Sequence, residues 1–410
     1  MDTSLLTILL LLLVGALVAR LTASRLARWA VPAIVLELLV GFLLGNTLLP
    51  YERIRPLAGL TELGVLTLFF QVGLEVSGGL AGSRPVAVLR TVLLSALTPL
   101  LAWWPLQHGL GLPAATTLVA VAVLSATGTG VTLRALAQAG ALASPSGRFL
   151  VGVSVLDDLP AIGLLTGASL LGAVRPGALA AAPAAGSPGL RLLLGLAVLA
   201  LSLPASRWWL RRHGPWQPGP LGVLLLLTAG GWIGECSGLT SLLGALWAGL
   251  LLTRLAPQSQ SSSAGQELRN QLALLSEVFL PLYFIGVGMR VQAATLLDPT
   301  AWQLAALLLP LAIGCKLLCG LGVGPADRAA GVDRPGVVFG LIPRGVPGLV
   351  FASTALSAGL IAPAQFSALV LVVSATTVLG LLLLGRRLGQ LAESELVITQ
   401  GFNLVDVGDD

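Results

Sequence analysis

Residues 152–167 read GVSVLDDLPAIGLLTG and place two adjacent carboxylates, Asp157 and Asp158, in the middle of an apolar stretch. A carboxylate at the centre of a bilayer costs about 2.5–3.5 kcal/mol on insertion scales, and neighbouring carboxylates also repel each other. Ionisable residues at this depth are typical of ion pathways. Two alternatives stay open: both groups stay protonated and hydrogen-bonded, or the span is framed differently and the pair lies at an interface.

The composition around this stretch is that of a membrane protein. Hydrophobic residues make up 56% of the 410-residue chain and charged residues only 10%, whereas a soluble domain carries about 25% charge. The long unbroken apolar runs exclude a transmembrane barrel, whose strands alternate apolar and polar residues in short segments. The three cysteines form neither a disulfide framework nor a zinc-site spacing. We therefore predict an all-α integral membrane protein.

Charged, polar and Pro/Gly-rich breaks divide the chain into thirteen apolar stretches of about 17–25 residues, the length of a transmembrane helix. The fifth, tenth and twelfth are the weakest as continuous helices because Gly, Pro or polar residues interrupt them. The predicted stretches are 4–20, 29–48, 58–80, 86–107, 113–133, 148–173, 190–210, 218–236, 238–254, 272–290, 300–322, 335–358 and 363–385.

The arginines predict the orientation of these spans. With the N-terminus outside and the C-terminus in the cytoplasm, sixteen of the 22 arginines fall on the cytoplasmic side and five outside, while Arg344 lies within a span. This split follows the positive-inside rule. The net charge of +5 is therefore explained by topology, and we expect a lipid bilayer, not nucleic acid, as the partner.

The single lysine of the chain, Lys316, lies in the apolar sequence LLLPLAIGCKLLCGLGVG. Lysine differs from arginine in that it can release its proton when buried. Together with a buried carboxylate pair, it indicates a titratable ion pair. The alternative is a lysine that snorkels to the nearby membrane interface.

Two spans are predicted to be broken, at LSATGTGVTLRAL (124–136) and at GLIPRGVPGLVFAS (340–353). Their Gly and Pro residues weaken a continuous helix, and irregular backbone at membrane depth is tolerated only inside the protein or along a watery cavity. The breaks lie seven spans apart, so the two helices run in opposite directions, as in an inverted repeat around a linking seventh span. Such paired breaks point to the binding site of a transporter.

Seven segments in order resemble the bacterial sodium/proton antiporters of the monovalent cation:proton antiporter superfamily, in the branch of the Kef-type potassium efflux proteins and the thirteen-span exchangers. The resemblance covers essentially the whole chain. The segments are PAIVLELLVGFLLGN, LTELGVLTLFFQVGLEVS, SATGTGVTLRAL, VSVLDDLPAIGLL, FLPLYFIGVGM, IGCKLLCG and IPRGVPGLVFAS.

The resemblance implies a homodimer in the bacterial inner membrane, built from a scaffold domain and an ion-carrying core with two crossed broken helices. Mapped onto this chain, the scaffold halves are 1–85 and 218–298, the core halves are 86–175 and 299–387, the linking span is 176–217 and the cytoplasmic tail is 388–410.

The same resemblance implies roles for individual residues. Asp158 would bind Na+ or Li+ and exchange it for protons, and Asp157 would pair with Lys316 when no cation is bound. Thr127 would lie near the site and contribute to a Na+ site with the two aspartates. No cofactor is implied beyond the transported Na+ and H+. The supporting candidates are Thr129, Ser154 and Arg344.

One position departs from the family pattern. Members often carry an acidic residue after the PRG tripeptide, whereas this chain has Val346. A role for that carboxylate therefore does not transfer to this protein.

Three other functions remain to be weighed. Potassium/proton exchange or potassium efflux is open because nothing in the sequence distinguishes Na+ from K+. The adjacent aspartates and the buried lysine disfavour a sodium-coupled symporter of organic solutes. An intramembrane aspartyl protease needs facing aspartates on separate helices, whereas Asp157 and Asp158 are neighbours about 100° apart on one helix.

Overall fold

The computed structural model describes residues 5–26, 32–76, 85–141, 144–173, 188–214, 219–237, 240–256 and 263–405. All regular secondary structure within these ranges is helical. This agrees with the predicted all-α class, since a helix satisfies its own backbone hydrogen bonds inside lipid.

Eighteen α-helices follow one another along the described chain. Short 3₁₀ turns extend α3 (Arg55–Leu57), α5 (Thr98–Ala102) and α14 (Gly320–Gly322), and a π turn covers Pro105–Gly109. The helices are α1 Leu5–Arg25, α2 Ala33–Thr47, α3 Tyr51–Ile54, α4 Ala58–Val76, α5 Pro85–Leu97, α6 Ala114–Ser125, α7 Thr129–Gln138, α8 Pro145–Ala173, α9 Pro188–His213, α10 Pro220–Cys236, α11 Ser241–Leu255, α12 Ser263–Met289, α13 Ala293–Leu296, α14 Pro299–Cys319, α15 Pro325–Ala329, α16 Arg334–Leu341, α17 Gly345–Ser357 and α18 Pro363–Val405.

The helix lengths are those of a membrane-embedded protein. In the described part of the chain, eight helical segments are long and apolar enough to cross a bilayer. A bent pair, Ala33–Thr47 with Tyr51–Leu57, adds a ninth and turns by 111°. Four shorter apolar helices, among them Pro220–Cys236 and Ser241–Leu255, overlap predicted stretches. The predicted number of thirteen spans exceeds these eight or nine and stays a prediction.

Two helices run farther without a break than the apolar pattern alone indicates. The tenth stretch is one of the three weakest as a continuous helix, but α12 runs without a break through Pro281. It packs against both α2 and α4, and this tertiary contact outweighs the hydrogen bond that proline removes. At the other end of the chain, α18 continues to Val405, past the start of the expected tail at residue 388. The added residues are rich in Leu, Gln and Glu, which favour helix.

Helices α1, α2, α4, α10, α11 and α12 pack against one another and are called here the first helical group. Glycines allow the closest of these contacts. Gly41 of α2 faces the backbone of Ile285, and Gly288 of α12 faces the backbone of Leu38, so a side chain at either glycine would overlap the opposite helix. Small residues are the usual means by which membrane helices approach closely.

Helices α5 to α8, α14 and α16 to α18 form the second helical group. Its centre is α6, where ten of the twelve residues are buried. The two groups meet where α4 and α11 pack against α8. They also meet at the rings of Phe69 on α4 and Phe351 on α17, whose centroids are 6.1 Å apart. The predicted scaffold and core boundaries stay a prediction.

Candidate functional site

The first break separates α6 from α7. Helix α6 ends at Ser125 and α7 begins at Thr129. Between them, Ala126 is extended, with φ −53° and ψ 145°. Interrupting a helix leaves carbonyls of its last turn without partners inside that helix. These carbonyls are therefore available to side chains or ions deep inside the second helical group.

The second break separates α16 from α17 and contacts the first. It comprises Ile342 to Arg344, and Pro343 at its centre has no N–H to continue a helix. The backbone N–H of Gly128 donates to the carbonyl of Pro343 across 2.5 Å. A Cβ on Gly128 would lie 2.7 Å from the backbone nitrogen of Gly345, so this contact requires glycine. The breaks thus meet at one point of the protein interior.

Lys316 lies beside this junction and is fully buried. Its Nζ donates to Ser95 Oγ at 2.6 Å, to the Ser125 carbonyl at 2.8 Å and to Thr127 Oγ1 at 2.6 Å. These oxygens come from α5, from the end of α6 and from the first break. The three N–H donors of an ammonium group are therefore matched by three neutral acceptors.

Asp157 on α8 completes a chain of polar groups with Lys316. Its side chain is fully buried, and Oδ2 lies 3.5 Å from Lys316 Nζ. The hydroxyl of Thr127 donates to the same Oδ2 while it accepts from Lys316. Among the residues that the structure describes, Asp157 Oδ1 has no hydrogen-bond partner. Thr127 therefore links a buried cation to a buried carboxylate.

Arg344 supplies a second buried positive charge at the junction. Its guanidinium donates to the Leu124 and Ala126 carbonyls at the end of α6, and to the Ala312 carbonyl of α14 at 2.6 Å. The carbonyl end of a helix carries a partial negative charge that a cation offsets. Arg344 thus stabilises the broken end of α6 and joins it to α14.

The structure describes the side chains of four of the seven site residues predicted from sequence. Asp157, Lys316 and Thr127 form one connected cluster, and Arg344 lies beside the same broken helix. The side chains of Thr129, Ser154 and Asp158 lie outside the described part of the structure. Among the described residues, no group of three or more His, Cys, Asp or Glu side chains is placed to hold a metal ion.

Ser95 is the site residue that sequence reasoning missed. It lies in VLLSALTPL on α5, where a small hydroxyl residue in an apolar helix is unremarkable. Its side chain is fully buried against Lys316. Only the packing of α5 against α14 shows this contact.

A separate cavity of about 480 Å³ lies between the two helical groups. Two carboxylates, Glu62 and Glu235, are among its lining residues. Arg290, at the end of α12, crosses it and donates to the hydroxyls of Ser353 at 2.9 Å and Ser357 at 3.0 Å on α17. Arg290 therefore connects α12 of the first helical group to α17 of the second at the edge of this cavity.

The oxygen atoms of the buried cluster can bind either a cation or a proton. Carboxylate, hydroxyl and carbonyl oxygens are the ligands that hard cations prefer, and a carboxylate also binds a proton. The Thr127 hydroxyl contacts the Asp157 carboxylate, and Lys316 binds both this hydroxyl and the Ser125 carbonyl at the first break. A cation and a proton can therefore compete for the same oxygens.

Comparison with known families gives an independent result. The family model described as sodium/hydrogen exchanger, transmembrane, matches residues 8–404. This match includes every residue of the buried cluster.

Two relatives are similar over most of the chain. The high-affinity Na+/H+ antiporter NhaS3 of Synechocystis is 28% identical over 334 residues, which cover 78% of this chain and 68% of that protein. The Na+/H+-K+ antiporter GerN of Bacillus cereus is 25% identical over 370 residues, covering 88% of this chain and 91% of that protein.

A solved structure has a similar fold. It is the sodium proton antiporter MjNhaP1 from Methanocaldococcus jannaschii at pH 8, with a TM-score of 0.58, 16% sequence identity, and coverage of 93% of this chain and 96% of that one. At this identity the likeness establishes the fold alone.

Proposed function

The chain belongs to the sodium/hydrogen exchanger family, and on this premise we propose that it exchanges Na+ or Li+ for protons at a buried aspartate pair. The family and its relatives identify the protein as a transmembrane cation/proton antiporter. The choice of ion and the carboxylate mechanism are proposals that rest on the chemistry of the site.

One observation carries the proposal: a buried carboxylate, Asp157, has one oxygen engaged through Thr127 and Lys316, and the other has no partner within the described part of the chain. A buried carboxylate without full compensation is costly. Binding a cation or a proton removes that cost. The arrangement therefore supports a site that is occupied in turn by the two ions.

In the proposed cycle, Na+ and protons compete for Asp157 and Asp158. With Na+ bound, both carboxylates are ionised and bind the ion together with the Thr127 hydroxyl and backbone carbonyls. Protonation removes the negative charge and releases the cation. Exchange then needs no separate coupling device, because both ions use one site.

In the proposed cycle the two broken helices cross each other, and their interrupted ends carry partial charges of opposite sign. The end of α6 presents carbonyls, and the first turns of α7 and α17 present N–H groups, so partial charges of both signs lie near the site. An empty, fully charged site has a high desolvation cost and should not cross the membrane. A site whose carboxylates are neutralised by a bound cation or proton can cross the membrane as the second helical group moves against the first.

We also propose the thirteen-span inverted-repeat topology for the whole protein, with the N-terminus outside and the C-terminus in the cytoplasm of a bacterial inner membrane. The distribution of arginines supports this orientation. In the same proposal two copies form a homodimer through the scaffold halves 1–85 and 218–298. No cofactor is part of the mechanism.

Potassium/proton exchange is the alternative function. It is favoured by the similarity to GerN, a protein whose name includes K+ as well as Na+. The oxygen ligands of the site suit either Na+ or K+, and proton flux measured with each ion distinguishes the two functions.

The test is proton flux into proteoliposomes of purified protein, driven in turn by Na+, Li+ and K+ gradients. We expect flux with Na+ and Li+, and loss of that flux in Asp158→Asn. Asp298→Asn, which changes an exposed helix-capping carboxylate, is the matched control and should keep full flux. Normal Na+-driven flux in a folded Asp158→Asn variant would overturn the aspartate mechanism, and flux with K+ alone would establish the alternative.

A further inference from the structure

The ammonium group of Lys316 is held mainly by neutral oxygens. Its three hydrogen bonds, to Ser95 Oγ, the Ser125 carbonyl and Thr127 Oγ1, measure 2.6–2.8 Å. Asp157 Oδ2 is farther away, at 3.5 Å, which is beyond the usual length of a hydrogen bond. The carboxylate is therefore close enough for charge attraction, but all three donors of the ammonium are already in use.

Ser95 is fixed in place by the packing of α5 against α14. Three residues after it, the Thr98 hydroxyl donates to the Cys315 carbonyl, and the Cys315 thiol donates to the Thr98 carbonyl, each across 3.2 Å. Cys315 directly precedes Lys316. On its other side, the Ser95 carbonyl accepts from the Ser125 hydroxyl at 3.3 Å. The Ser95 hydroxyl is thus held at the position of the ammonium group by contacts on both sides.

This arrangement gives the two oxygens of Asp157 different environments. Oδ2 receives the Thr127 hydroxyl and faces Lys316, whereas Oδ1 is buried and has no partner among the described side chains. If Ser95 did not accept a hydrogen bond, one N–H of Lys316 would be left unsatisfied in the interior. Because leaving a buried donor unpaired is costly, that N–H would turn to the nearby carboxylate.

We propose that Ser95 is a positioning residue: it holds the ammonium of Lys316 off Asp157 Oδ2 and so keeps the carboxylate of Asp157 free to bind the transported cation. This inference rests on the proposed function, in which the cation binds at Asp157. Ser95 does not touch the cation; it acts through Lys316.

The test is Ser95→Ala in proteoliposomes, with the apparent KM for Na+ and kcat measured separately. Direct pairing of Lys316 with Asp157 adds one charge-assisted hydrogen bond that the cation must displace, so KM should rise by about tenfold with kcat little changed. Ser276→Ala is the matched control. That serine is also buried, on α12, and its hydroxyl has no partner in the ranges that the structure describes, so KM should not change.

A double-variant cycle separates this role from simple packing. Cation affinity is taken from the Na+-induced rise in Tm, which does not require turnover. In a Lys316→Met background, Ser95→Ala should cause no further loss of affinity, since its effect passes through the lysine. An unchanged KM in Ser95→Ala, a fall in kcat alone, or an equal loss of affinity with and without Lys316 would each overturn the inference. Absence of Na+-driven flux in the wild-type protein would instead contradict the proposed function.

Discussion

The backbone N–H of Gly128 donates to the carbonyl of Pro343 across 2.5 Å, and this bond joins the two interrupted helices at their breaks. Thr127 of the first break contacts both Lys316 and Asp157, and Arg344 of the second break donates to the carbonyl of Ala126, the residue before Thr127. The junction therefore determines where the buried polar groups lie relative to one another.

Replacing Gly128 with alanine should destabilise this junction. The added Cβ would lie 2.7 Å from the backbone nitrogen of Gly345, and backbone cannot move aside as a flexible side chain can. We expect a lower Tm and loss of cation-driven proton flux. Gly130→Ala is the control within the same sequence motif, because a Cβ there meets nothing within 4 Å. Equal Tm values for the two variants would contradict the proposed need for close contact.

Replacing Thr127 with valine should impair exchange while the protein stays folded. Valine has nearly the same shape but removes the hydroxyl that accepts from Lys316 and donates to Asp157. Leaving a buried partner unpaired costs about 1–3 kcal/mol, so we expect about a tenfold or greater loss in kcat/KM for Na+. Thr166→Val serves for comparison, since that buried hydroxyl donates within its own helix, to the Ile162 carbonyl. Comparable losses in both variants would argue against a specific role for Thr127.

Replacing Arg344 with methionine should lower the thermal stability of the protein. The change leaves the Leu124, Ala126 and Ala312 carbonyls without their buried donor. We expect destabilisation by about 3 kcal/mol or more, seen as a large fall in Tm in detergent. Arg148→Met, at an exposed position of α8, should shift Tm little. An Arg344→Met protein as stable as the wild type would show that these carbonyls find other partners.

Replacing Arg290 with methionine should loosen the contact between the two helical groups. Its bonds to Ser353 and Ser357 cross from α12 to α17, and hydrogen bonds to a charged group contribute about 1.5–3 kcal/mol each. We expect faster thiol labelling of a cysteine introduced at Thr354, which lines the cavity.

The labelling experiment needs a defined background. Cys236 is exposed and is first replaced by alanine. Arg53→Met, at an exposed arginine of α3, controls for loss of positive charge. If both arginine variants label Thr354→Cys at the wild-type rate, the Arg290 contacts do not hold the two groups together.

Much of the fold could be predicted because membrane helices have a strong sequence signal. Apolar length located the helices, and Gly and Pro located the two interruptions. A proline alone does not decide the result: in α12, Pro281 stays within a continuous helix supported by its neighbours. Local sequence gives the tendency to break, whereas tertiary packing decides the result.

The candidate site was predictable only where its residues are unusual for their surroundings. Asp157 and Lys316 stand out because charge is rare inside a bilayer, and the structure places them 3.5 Å apart. Ser95 and the Oδ1 atom of Asp157 gave no such signal. Their importance depends on distances between α5, α8 and α14, which no single stretch of sequence contains.

If Na+ and protons compete for one buried site, the apparent affinity for Na+ must depend on pH. The measurement is the apparent KM for Na+ and the maximal flux of the wild-type protein in proteoliposomes over a series of acidic to neutral pH values. We predict that KM rises with proton concentration while the maximal flux at saturating Na+ stays constant. A constant KM with a maximal flux that falls on acidification would contradict competition and would place proton and cation at separate sites.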